Sequence, residues 1–116
     1  MFDNSSISAL TPRLYTAPYT GVRTSLCTGL TKAISLDCRK FNIACGQINI
    51  GNAETTLSNR MRKGVYQADG AIKAEDMMNV ADVAAAIQMM AQLPVTTTNV
   101  LEITIMANNM PYVGRG

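Results

Sequence analysis

The chain has 116 residues, 47% of them apolar, and ten lysines and arginines against eight acidic residues give a net charge of +2. That suffices for one domain with a modest core. It is too little basic surface for nucleic acid, since the single basic cluster, Arg60-Met61-Arg62-Lys63, reads as the solvated face of a short helix.

No histidine is present, which excludes His-based zinc sites and the Ser-His-Asp and Cys-His nucleophile systems, and no metal site is expected. Cys27, Cys38 and Cys45 are an odd set without Cys-x-x-Cys spacing. Cys27 and Cys38, eleven residues apart on one expected helix, would be about 16 Å apart, beyond disulfide reach. A reducing compartment fits that set. The first residues lack the cationic flank and apolar run of a secretory signal, and no segment reaches the ~18 continuous apolar residues of a membrane span. The expectation is a cytoplasmic protein without a membrane partner.

In chain order, residues 1–18 carry Asn, Ser, Thr, Pro12 and Pro18 and read as loop, with residues 2–5 as the last stub of a strand. A helix is expected over residues 19–40, opened by Pro18 and closed by Asn42, with Val22, Leu26, Leu30, Ile34 and Cys38 recurring every fourth position as an apolar face. Tyr19 and Arg23 fall one turn apart on it, and a cation beside a phenol favours its ionised form, the pairing that proton exchange uses. Residues 43–48 read as a strand buried on both faces, with Gly46 allowing close backbone approach. A short helix over residues 56–63 would carry Leu57 and Met61 inward. A second long helix starts at the Asn79 cap, with Asp82 in its first turn, and ends at Leu93-Pro94. A strand follows over residues 99–107, with Leu101, Ile103 and Ile105 on one face. Strand, helix and strand in that order imply a parallel sheet. Met110 to Val113 would pack back over it.

Ser6, then Tyr19 thirteen residues on, then Arg23 four residues later, followed by a strand with Cys45-Gly46-Gln47-Ile48, resemble the short-chain dehydrogenase/reductase family and its Tyr-x-x-x-Lys motif. The resemblance runs to the C-terminus. It implies an α/β chain, the C-terminal portion of a Rossmann-like doubly wound parallel sheet. It implies hydride transfer between NAD or NADP and a small carbonyl or alcohol substrate. Ser6 would hold the substrate oxygen, Tyr19 would exchange the proton, and Arg23 would assist Tyr19 and bind the nicotinamide ribose. The backbone at Gly46 and Ile48 would meet the nicotinamide ring and its carboxamide. In this family the helix bearing the tyrosine often packs against its mate, so a homodimer through residues 19–40 is expected.

Two departures bear on activity. Arg23 replaces lysine, and a planar, permanently charged guanidinium cannot join a proton relay. No Gly-x-Gly-x-x-Gly turn follows a first strand, so the dinucleotide phosphates lack their usual cradle. Residues 1–116 therefore read as one partial domain lacking the nucleotide-binding half, truncated and weak or inactive as an enzyme alone. Two other readings stand beside it: a non-catalytic dimerisation module derived from the same fold, and a reductase completed by another chain.

Overall fold

The structure, a computed structural model, describes residues 1–113, leaving aside the side chain of Ser25. Three parallel strands form its sheet: β1 (Phe2–Ser6), β2 (Gly46–Ile50) and β5 (Glu102–Ile105), in the order β1-β2-β5. Asn4 is level with Ile48, and Ile48 with Ile103. The expected stub is thus a full partner strand. The second strand starts and ends later than its composition suggested. At Gly46 a Cβ would lie 2.2 Å from the Val100 carbonyl oxygen, so the glycine is needed where the chain passes its neighbouring segment.

Successive strand residues face opposite sides of the sheet. Ile48, Ile103 and Ile105 face α3 (Val80–Gln92), whose Val83 and Met90 complete the apolar core with Ile7, Met78, Ala107 and Met110. The Asn79 side chain caps α3 by accepting from the Ala81 N–H at 2.9 Å, as expected. Tyr112 also packs against this core. The end of the expected tail, residues 114–116, lies outside the described residues.

The other face is polar. Gln47 donates to Asn49 at 2.6 Å, and Asn49 donates to Glu102 at 2.7 Å. Thr31 donates to Asp3 at 3.1 Å from the covering helix. Gln47 and Asn49 are fully buried, yet each finds partners, which is the condition for keeping amides in a core.

The covering helix runs as α1 (Ala17–Gly21), a π-helical stretch over Val22–Cys27, and α2 (Thr28–Asp37). Its buried residues in α2 are Thr31 and Ser35, whereas Val22, Leu26 and Leu30 are about half exposed or more. A four-residue repeat oversteps one α-helical turn by about 40°, so the apolar stripe winds from the open side at Leu30 to half-buried Ile34 and Cys38. Asn42 closes the following turn in the left-handed conformation (φ 56°), the role expected of it.

Residues 53–78 leave the sheet and return. Ala53 and Met78 form a bridge at the base of this excursion. It contains a 3₁₀ helix, Leu57–Lys63, and a small hairpin of β3 (Val65–Tyr66) and β4 (Ile72–Lys73). Leu57 does not point inward: it is 89% exposed, because the segment stands off the core instead of lying on it. Among the described residues no helix is long and apolar enough to cross a membrane.

Candidate active site

β1 ends at Ser6, and the chain turns at once into a 3₁₀ turn, Ile7–Ala9. Ser6 caps that turn: its hydroxyl oxygen accepts from the Ser8 N–H at 3.2 Å. The hydroxyl hydrogen stays available to donate to a carbonyl oxygen. Thr24 donates to the Ala9 carbonyl at 2.8 Å and ties the covering helix to this turn.

Tyr19 and Arg23 sit where α1 passes into the π-helical stretch. The Arg23 guanidinium carbon lies 5.3 Å from the centre of the Tyr19 ring, and its Nη1 donates to the Asn4 carbonyl of β1. The cation therefore covers the ring face and is anchored to the strand that carries Ser6. Ser6, Tyr19 and Arg23 all line one cleft of about 480 Å³ at the C-terminal end of the strands. That is where ligands bind in open α/β sheets.

Gly46 and Ile48 are not brought to the cleft. Gly46 opens β2 at its far end, and Ile48, 1% exposed, lies in the core beneath α3. The close approach at Gly46 is to Val100. The part of β2 that reaches the cleft is its C-terminal end and the turn beyond: Ile50, Gly51, Asn52 and Ala53. The signal that could have found these residues is the Gly51-Asn52 turn pair directly after an apolar strand.

A buried cluster beside the cleft escaped the sequence altogether. Arg13 Nη2 lies 2.6 Å from Glu75 Oε2 and 3.1 Å from Asn52 Oδ1, while Asn52 and Gln67 donate to the Glu75 carboxylate at 2.7 and 2.9 Å. Burial alone would push Glu75 up, but the hydrogen bonds from Gln67 and Asn52 and the charge of Arg13 outweigh it and hold the carboxyl below the usual glutamate value. Arg13 and Asn52 line the cleft. Its shape thus depends on four residues from four separate segments. By contrast, Cys45 is fully buried, and burial pushes its thiol up. Among the described residues no group of three or more His, Cys, Asp or Glu could hold a metal ion.

No protein-family model matches the sequence, and no curated protein is significantly similar to it. Solved structures do match. An actinorhodin polyketide ketoreductase variant with NADPH superposes at a TM-score of 0.74 and 14% identity, over 97% of this chain and 46% of its own. A Brucella melitensis 3-ketoacyl-(acyl-carrier-protein) reductase with NADH gives 0.69 and 17% identity, over 92% and 43%. A Serratia marcescens short-chain dehydrogenase/reductase variant gives 0.67 and 17%, over 90% and 42%. The fold is a partial short-chain dehydrogenase/reductase fold. At these identities the likeness is one of fold, and the chain spans less than half the length of these structures.

Proposed function

We propose that the chain supplies the catalytic end of an NAD(P)-dependent oxidoreductase of the short-chain dehydrogenase/reductase kind, corresponding to the C-terminal half of that fold. The observation that carries this reading is the convergence of Ser6, Tyr19 and Arg23 on one cleft at the C-terminal end of a parallel sheet. Ser6 donates to the carbonyl oxygen, and Tyr19 transfers a proton to it, or removes one from the alcohol in the reverse direction. Arg23 supplies a positive charge beside the reacting oxygen and, from its place on the cleft wall, holds the ribose hydroxyls. The nicotinamide, when bound, supplies or accepts the hydride. The residues fit only that end of the cofactor: the sequence has no glycine-rich turn for the phosphates, so the isolated chain has little affinity for NAD or NADP and little activity.

The test is a fusion of this chain to the nucleotide-binding half of a short-chain dehydrogenase/reductase, assayed for carbonyl reduction with Tyr19 intact and as Tyr19→Phe. Loss of about 10²–10⁴-fold is expected for the phenylalanine variant. Equal rates would remove Tyr19 from the mechanism.

The exposed stripe of Val22, Leu26 and Leu30 favours a second reading that can accompany the first, a homodimer through the covering helix. Sedimentation of the chain at micromolar concentration should show a dimer that Leu26→Lys with Leu30→Lys dissolves.

A further inference from the structure

The lining of the cleft differs from side to side. Ser6, Tyr19 and Arg23 hold one part of it, whereas Ile50, Leu57, Met61, Val80 and Val83 give another part an apolar wall. No aspartate or glutamate is among the lining residues. The 3₁₀ helix contributes Leu57, Ser58 and Met61 to the cleft, while Arg60, Arg62 and Lys63 of the same helix stay off it, Arg62 pairing with Glu54. The segment thus sorts its apolar side chains toward the cleft and its charges away. Leu57, 89% exposed, and Val80, 52% exposed, are apolar surface on the cleft that is left open among the described residues. Of the two arginines that line the cleft among the described residues, Arg13 is neutralised by Glu75 and Arg23 keeps its charge at the reacting end, so a cationic ligand is disfavoured.

We infer that the cleft takes a carbonyl compound that carries no positive charge and has an extended apolar body, whose chain or ring lies against Leu57, Met61 and Val80 while its carbonyl points to Ser6 and Tyr19. The inference rests on the proposed function for the direction of the carbonyl, but the recognition of the apolar body stands on the wall itself. Leu57 and Val80 are specificity-determining residues in this scheme. A cleft of about 480 Å³ falls in the size range of small-molecule sites.

The test measures binding, which needs neither cofactor nor turnover. The full chain is titrated with acetone, 2-pentanone and 2-octanone, and with octylammonium as the cationic control, by ligand-observed NMR. Affinity should rise about two- to fourfold per added methylene, near the value for burying each CH₂, and octylammonium should bind more weakly than 2-octanone. Leu57→Ser and Val80→Ser should each cost several-fold in affinity for 2-octanone with the melting temperature unchanged, since both side chains are more than half exposed. Equal affinity for acetone and 2-octanone, stronger binding of octylammonium, or serine variants that bind as well as the parent would each overturn the inference. Chain-length-dependent binding together with an inactive fusion would sink the proposed reaction and leave the apolar recognition standing. An active fusion with no chain-length dependence would do the opposite.

Discussion

Arg13 and Glu75, 62 residues apart in sequence, meet through Nη2 and Oε2 at 2.6 Å with only 13% and 1% of their side chains exposed. The pair joins the loop after β1 to the segment that leads into α3. Asn52 bonds both partners, and Gln67 from the hairpin bonds the carboxylate, so the excursion over residues 53–78 is pinned to the end of the sheet at a buried charged pair.

The first prediction is pH-dependent. The folded value of Glu75 lies below its ordinary 4.5, so its contribution is fully present above that ordinary value and is lost as pH falls through the lower folded value. Glu75→Gln leaves Arg13 buried without its counter-charge and should cost about 3 kcal/mol near neutrality. Urea midpoints across pH 3 to 7 check this: the gap between the two proteins should be constant down to about pH 5 and close below pH 4.5. A gap that persists at the acid end would refute the linkage.

Ser5 gives the second. Its hydroxyl oxygen is the one buried side-chain polar atom among the described residues without a hydrogen-bond partner. An unpaired buried hydroxyl costs about 1–3 kcal/mol, so Ser5→Ala should leave the melting temperature unchanged or raise it. A loss of stability would mean that the hydroxyl has a partner, such as an ordered water.

A third concerns the Asn79 cap. Asn79→Ala removes the acceptor for the Ala81 N–H and should cost about 1 kcal/mol, while Asn79→Asp should restore it. Thermal melts of the two variants decide the matter.

How far the sequence could be read follows from which interactions are local. The Asn79 cap, the Asn42 turn and the Tyr19-Arg23 spacing are written in neighbouring residues, and each appears in the structure. The β2 boundaries slipped because Gln47 and Asn49, which look like residues from a strand's end, sit in its buried middle within a polar layer. Nothing local marks Asp3, Thr28, Thr31, Glu102 and Thr104 as members of that layer. The resemblance implies a cofactor contact at Gly46 and Ile48, but the glycine's freedom serves the close passage of Val100, and neither residue lines the cleft. The Arg13-Glu75 cluster has no sequence signal at all, since its four members come from segments that only the folded sheet brings together.

The last prediction isolates Arg23. Its guanidinium lies over the Tyr19 ring and donates to the Asn4 carbonyl, so its charge is committed to a fixed position. A lysine ammonium is compact, can give up a proton, and can turn its donors toward ribose hydroxyls and the phenol. In the active fusion, Arg23→Lys should therefore raise turnover and lower the KM for the nicotinamide cofactor. The gain should be smaller than the ~10²–10⁴-fold loss expected for Tyr19→Phe, because arginine already supplies the charge. Arg23→Gln, which keeps length and donors but not charge, should fall below the parent. Separating kcat from the cofactor KM across the three proteins distinguishes a cation that serves the phenol from one that merely holds the helix to β1. A lysine variant slower than the parent, with its cofactor KM unchanged, would assign Arg23 to that structural role.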